Sequence, residues 1–325
     1  MTTSRNQGHR SPVIILQCAI AIVLAGFATT PLFAQSEQTS ASAKASDSGL
    51  AFERTDSGLR ISHSGQSIAN YHRQDSRIFR PFFSSVQTPN GIQVTRNHPP
   101  VEGKDAMDHD TMHPGIWLAF GDVSGQDFWR NKAKMTFEKE LQSPAIKDGS
   151  LIFADSFRML DSNDQLIGRQ ESHFELRKTN GAWRLRWTAT FIPQSELVFG
   201  DQEEMGLGVR VATSMTEKNG GRIISSTGAT GAGSTWGKSA EWCSYSGAVD
   251  GKPAGIIVIP SPKNFHPSWW HNRDYGLMVA NPFAQAALAG GSSGKLMVKH
   301  DAPLVLSFDV VIHDGEFRES LVKAP

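Results

Sequence analysis

Hydrophobic and polar residues alternate with period two through most of the chain. In Ala133–Leu141 the residues Met135, Phe137 and Leu141 fall on one face, opposite Lys134, Thr136, Glu138 and Glu140. Trp183–Phe191 sets Trp183, Leu185, Trp187 and Phe191 against Arg184, Arg186, Thr188 and Thr190, and Leu304–Ile312 sets Leu304, Leu306, Phe308, Val310 and Ile312 on one side. Such runs predict half-buried antiparallel strands. Turn signals separate them at Pro89-Asn-Gly91, Lys147-Asp-Gly149, Asp161–Asp164, Thr179-Asn-Gly181, Asn219-Gly-Gly221 and Asp250-Gly251. Pro282–Leu288 alone has a helical pattern, and it is short. No repeat of roughly 20–50 residues is present, which argues against a propeller or solenoid. The pattern predicts an all-β protein, a large antiparallel β-sandwich.

The N-terminus changes the picture of the compartment. Arg5, His9 and Arg10 precede an apolar run from Val13 to Ala28, and Pro31-Leu-Phe-Ala34 offers a small residue for cleavage. This reads as a secretory signal peptide over 1–34, which predicts an exported, periplasmic or extracellular protein. Residues 35–49 are rich in Ser and Ala and read as a tether, because they cannot bury enough apolar surface to fold alone. Residues 50–325 are expected to form a single sandwich domain. The chain has 32 basic and 32 acidic residues, and losing Arg5 and Arg10 leaves a slight acidic excess. That balance gives no electrostatic case for nucleic acid or for an anionic membrane. Cys243 is the one cysteine past the leader, so no disulfide is expected within the mature chain, and a buried thiol is.

Three polar clusters interrupt the alternation. One joins Arg96-Asn-His-Pro-Pro100 to Asp108–Trp129. A second, Phe199–Arg210, runs from acidic residues into a Gly-rich strand. The third, His266–Phe283, interleaves two histidines, two tryptophans, an arginine and a tyrosine, the mixture expected of a ligand-pocket wall. Asp108, His109 and His113 carry metal-ligand atoms, but Pro114 and Gly115 follow at once and no metal motif is matched, so no metal is predicted there. Glu203 and Glu204 stand at the mouth of a strand, where one could face a pocket while the other faces solvent. A carboxylate paired with His266 or His271 could move protons. Nucleophile elbows, phosphate loops and dinucleotide fingerprints are missing from the sequence.

Four ordered segments resemble one bacterial family. They are Arg80-Pro-Phe-Phe with Thr88-Pro-Asn-Gly and Val94-Thr-Arg, then Gly115–Trp129, Gly237–Gly247 and Trp270–Phe283. Together they resemble the PmoA-like family, which often carries the label "methane oxygenase PmoA". The resemblance covers roughly Ile78 to the C-terminus. It implies a secreted β-sandwich from polysaccharide-degrading bacteria, and so a carbohydrate-related role. Size and role together suggest a galactose-mutarotase-like supersandwich, by analogy alone. The chain departs from the family's His-Pro-His-His-Arg cluster, since Asp110-Thr-Met-His-Pro114 keeps one histidine and has proline where the arginine would stand.

The expectation is a pocket for a small-molecule or glycan ligand. Glu204, His271 and His113 are the candidate catalytic groups. His109, Asp122, His266 and Arg273, with Trp117, Trp129, Trp242, Trp269 and Trp270 as platforms, are the candidate binding residues. The chemistry would be acid/base, as in a carbohydrate-active hydrolase, lyase or isomerase. A non-catalytic sugar-binding protein and a metal-dependent oxygenase are the alternatives. The sequence names no cofactor and no oligomeric state.

Overall fold

Two-residue turns with left-handed backbone build the hairpins. Asp148-Gly149, Asn180-Gly181 and Asp250-Gly251 all have φ between 49° and 75°, the conformation that joins twisted antiparallel strands most tightly. A computed structural model describes residues 49–292 and 294–323, so the leader and nearly all of the tether lie outside the described residues. The described residues belong to one unit, Ser40–Pro325.

Eighteen strands are described. The first five are β1 (Leu50–Thr55), β2 (Gly58–His63), β3 (Gln66–His72), β4 (Phe82–Ser84) and β5 (Ile116–Phe120). Long hairpin strands follow: β6 (Lys134–Lys147), β7 (Ser150–Leu160), β8 (Leu166–Thr179) and β9 (Ala182–Pro193). Next come β10 (Glu196–Phe199), β11 (Met205–Arg210), β12 (Arg222–Ser225), β13 (Cys243–Val249) and β14 (Lys252–Pro260). The last are β15 (Trp269–Arg273), β16 (Leu277–Asn281), β17 (Leu296–Lys299) and β18 (Leu304–Asp314).

They form two eight-stranded antiparallel sheets and one two-stranded ribbon. The first sheet runs β1-β2-β3-β4-β5-β11-β16-β15 and the second β12-β13-β14-β18-β9-β8-β7-β6, with β10 and β17 paired apart. The molecule is therefore an all-β protein, a large antiparallel sandwich. Its main core lies between the sheets and includes Tyr71, Phe83, Leu118, Leu207 and Trp270 from the first and Phe153, Phe174, Trp187, Phe308 and Val310 from the second. The residues that alternate inward in β9 and β18 are all buried there. The predicted helix is α2 (Gln285–Ala289), and a second short helix, α1, spans Ala232–Thr235.

One inward assignment is corrected. Leu141 was expected beside Met135 and Phe137, yet it is 37% exposed. Pairing between β6 and β7 skips at Phe137/Lys139 and again at Glu140/Gln142. Each extra residue of a bulge flips the alternation.

Candidate functional site

The first sheet has a second apolar layer, on the face turned away from the sandwich core. Register pairs carry one row across it: His72, Phe82, Trp117, Gly208, Val279 and His271. Two residues along, Arg210, Leu277 and Arg273 make a parallel row. Trp117 explains the second glycine of the Gly-x-Gly in β11, because its indole lies against Gly208. A Cβ at Gly208 would stand 2.5 Å from Trp117 Cζ2.

Loops close over half of this face. Arg80, almost wholly buried, donates to the carbonyls of Phe128, Trp129, Thr111 and Met112 and to Asn131 Oδ1. Arg96, equally buried, donates to the carbonyls of Ala106, Asp108, His109 and His113. Each guanidinium thus ties down backbone that has no strand partner. The closed half stacks His109 on His113 (4.8 Å between ring centroids) and His113 on Trp117 (5.2 Å), while Trp129 meets Trp117 edge-on at 5.3 Å. Asp108 receives both Nη atoms of Arg210, at 2.9 and 2.7 Å, and Arg210 sits over the Tyr275 ring at 4.8 Å. Burial opposes ionisation of Asp108, but hydrogen bonds from Arg210 and His109 hold its carboxyl well below the usual carboxylate range.

The other half stays open, and its polar groups are held from below. Asp201 accepts the N–H groups of Ala286, Ala287 and Gly294, pinning the start of the segment before β11. Asn281 Nδ2 donates to the carbonyls of Gln202 and Glu203, at 2.7 and 3.1 Å. His271 Nδ1–H donates to the Glu203 carbonyl at 3.0 Å, which leaves Nε2 to accept Arg273 Nε–H at 2.9 Å. The side chains of Glu203 and Glu204 then project from a fixed backbone. Arg273 Nη2 donates to Glu203 Oε2 at 2.9 Å, and His271 Nε2 stands 3.7 Å from that oxygen. Arg130, itself held by Asp127, donates to Glu204 Oε2 at 2.5 Å. Glu203, Glu204, Arg130 and Arg273 are each about one-third exposed.

The electrostatics join the two halves. Burial pulls the His271 imidazole down. The Glu203 carbonyl bond opposes that shift and the Arg273 charge adds to it, so the ring is neutral at neutral pH. Tyr275, in the β15–β16 turn, has its phenol pushed up by burial, and Arg210, Arg273, Asp108 and Glu204 all act on it. Glu203, Glu204 and Asp127 against Arg130, Lys132 and Arg273 leave the open half neutral by formal charge.

The structure brings together Glu204, His271 and Arg273 of the residues singled out in the sequence, with His109 at the margin. Trp269 shares the outward face of β15 with His271 and Arg273, and His266 packs beside it at 5.9 Å. Other candidates lie elsewhere. Trp270 points into the main core and donates to the Ala240 carbonyl. Trp117 and Trp129 are buried under the loops and offer no face to a ligand. His113 is buried too, its ring covered on both sides and its Nδ1 facing Arg210, and burial drives its pKa well down. Trp242 stacks on Phe317 in a separate cluster with residues of the second sheet. Asp122 caps its own turn through Gly125 N–H. Sequence reasoning missed Arg130, Tyr275 and Asn281 as site residues, along with the full part played by Glu203. Tyr275 and Asn281 stood within the polar, aromatic segment already marked. Arg130 directly follows the Gly115–Trp129 motif.

A metal centre does not fit these side chains. Among the described residues no three His, Cys, Asp or Glu groups gather to hold an ion. His109 is committed to Asp108, His113 faces a guanidinium, and His271 has both ring nitrogens engaged.

Several solved structures are distantly similar. A TPR-domain containing protein from Parabacteroides distasonis ATCC 8503 aligns at 10% identity and TM-score 0.39, over 85% of this chain and 49% of that one. The chain therefore spans about half the length of that protein. Galactose 1-epimerase from Lactobacillus acidophilus NCFM aligns at 7% identity and TM-score 0.38, over 83% and 93%. A galactose mutarotase-like protein from Clostridium acetobutylicum aligns at 8% and 0.33, over 82% and 94%. Likeness at this level says nothing about chemistry. No curated protein sequence matches the chain. Residues 58–324 match the family of unknown function DUF6807, and the chain belongs to that family.

Proposed function

We propose that the open half of the outer face binds a carbohydrate and that Glu203 acts on it as a base. The observation that carries this reading is the pairing of Glu203 with Arg273 and of Glu204 with Arg130 through one oxygen each. Oε1 of each glutamate has no hydrogen-bond partner among the described residues. A sugar hydroxyl both donates and accepts, so it suits a surface where carboxylate and guanidinium edges alternate. The near-neutral sum of charges favours an uncharged polyol over a strong anion. Trp269, half-buried on the same face, offers an apolar surface for a sugar ring.

Within this reading Glu203 is the proton acceptor, because its Oε1 has no protein partner among the described residues while both ring nitrogens of His271 are engaged. Glu204 with Arg130 holds the ligand in place. The four motifs that resemble the PmoA-like family supply the frame, including the buried Arg80 and Arg96. The site works outside the cytoplasm if the leader at 1–34 acts as a signal peptide.

The test is calorimetric titration with neutral monosaccharides, uronic acids and their 1,4-linked oligomers, followed by mass spectrometry of each mixture. A neutral sugar should bind the native protein, and Glu203→Gln should weaken it by about tenfold or more, as expected for loss of a charged hydrogen bond. Conversion of the sugar by the native protein but not by Glu203→Gln supports the catalytic reading. Binding without conversion makes the protein a sugar-binding module. No binding across the panel contradicts the proposal.

A further inference from the structure

We infer that the sugar site continues past Arg273 into a second subsite, so that the ligand carries at least two linked sugar units. This rests on the carbohydrate reading above. A cavity of about 410 Å³ opens beside the edge strand β15, lined by Glu217, Gly233, Trp236, Asn272, Arg273 and Asp274. That volume lies in the range of small-ligand sites. None of these residues except Arg273 belongs to the first cluster.

Local structure holds the cavity open. Residues 237–239 run along β15: Gly237 N–H donates to the Trp270 carbonyl at 2.9 Å, and Trp270 N–H to the Lys238 carbonyl at 3.0 Å. Gly237 has φ +68°, and a Cβ there would meet the Leu288 carbonyl oxygen at 2.3 Å, so glycine is required at this bend. The chain before it therefore presents Trp236, half-buried, at the sheet edge. Glu217 is fixed by accepting Ala232 N–H at 2.8 Å.

The chemistry matches the first cluster. An indole can cover the C–H face of a sugar ring, while Glu217 and Asp274 can receive its hydroxyls. Two buried polar atoms of the lining residues, Trp236 Nε1 and Asn272 Oδ1, have no hydrogen-bond partner among the described residues. Asn272 shares the inward face of β15 with Trp270, and its Nδ2 donates to Thr235 Oγ1 at 2.9 Å in the interior. Trp236 Nε1 is therefore the one of the two that a ligand hydroxyl could satisfy, and buried polar atoms are almost always satisfied in a complete structure. Arg273 links the two sites, since its Nε and Nη2 serve His271 and Glu203 while its guanidinium lies 5.7 Å from the Trp236 ring. The linkage between two sugar units would pass over this residue.

The experiment compares matched mono- and disaccharides (glucose with maltose and cellobiose, galactose with 1,4-galactobiose) on native protein, Trp236→Ala, Trp236→Phe and Gly233→Leu. A Cβ at Gly233 meets nothing within 4 Å, so leucine there is accommodated without a clash and adds bulk at the cavity wall. The native protein should bind one disaccharide about tenfold more tightly than its monosaccharide. Trp236→Ala and Gly233→Leu should abolish that preference and leave monosaccharide affinity within about twofold, while Trp236→Phe should retain most of it. Equal native affinity for both lengths, with binding still lost in Glu203→Gln, would overturn the second subsite and leave the first intact. Loss of monosaccharide and disaccharide binding alike in a folded Gly233→Leu protein would also overturn it. If no sugar in the series binds the native protein, both readings fall together.

Discussion

A carboxylate held by one guanidinium keeps its second oxygen for a ligand, and Glu203 is in that state. Its backbone carbonyl is taken by His271 and Asn281, so the side chain leaves a fixed point. Arg273 completes the arrangement by donating to both Glu203 and His271. Its positive charge lowers the His271 pKa, in addition to the larger effect of burial. Arg273→Ala should therefore move the His271 titration midpoint upward, read from the ring-proton shifts in an NMR titration. An unchanged midpoint would mean that Arg273 does not face the imidazole. The sequence marked His271, Arg273 and Glu204 because charged and aromatic residues crowd a short segment. It could not show that Glu203 and Glu204 both reach the outer face, since strand alternation would separate them. They lie before β11 begins, where the backbone is irregular and alternation has no force.

At the scale of the element, β11 is shaped by what lies on top of it. Gly208 admits the Trp117 indole, which in turn carries His113 and the loop above. Gly208→Ala should cost about 1–3 kcal/mol of stability in urea unfolding, because a packed indole between strand and imidazole has nowhere to go. A stability within error of the native value would contradict this packing. The strands themselves were legible, since every second residue of β9 from Trp183 to Phe191 and of β18 from Leu304 to Ile312 is apolar and buried. The bulges in β6 were not, because an extra residue leaves no mark on the hydrophobic period until the pairing is known. The tryptophans misled for a related reason. Trp117 and Trp129 sit in a polar-rich segment and read as platforms, but the loop strapped down by Arg80 and Arg96 returns over them.

For the whole molecule, buried histidines set the response to acid. Burial lowers the pKa of His72 to about 4, and of His98, His113, His271 and His313 below the ordinary histidine value. The unfolded chain binds these protons near pH 6.5, while the folded chain does not. Their contribution is thus complete above pH 6.5 and is lost as pH falls from there towards 4, with His72 alone on the order of 3 kcal/mol. Glu140, held by Arg54 and Arg73 down to about 2, adds a loss of the same sign at lower pH. The melting temperature should be flat above pH 7 and fall steeply between pH 6.5 and 4. A profile level down to pH 4 would contradict the burial of these rings.

The central claim is that a sugar binds on the outer face of the first sheet, between Glu203 and Glu204. A crystal structure of the protein soaked with the best-binding saccharide tests it most directly. The account predicts a sugar ring whose hydroxyls lie within hydrogen-bond distance of Glu203 Oε1 and Glu204 Oε1, beside Arg273 and Trp269. A saccharide bound elsewhere, with both carboxylates facing only water, would contradict it.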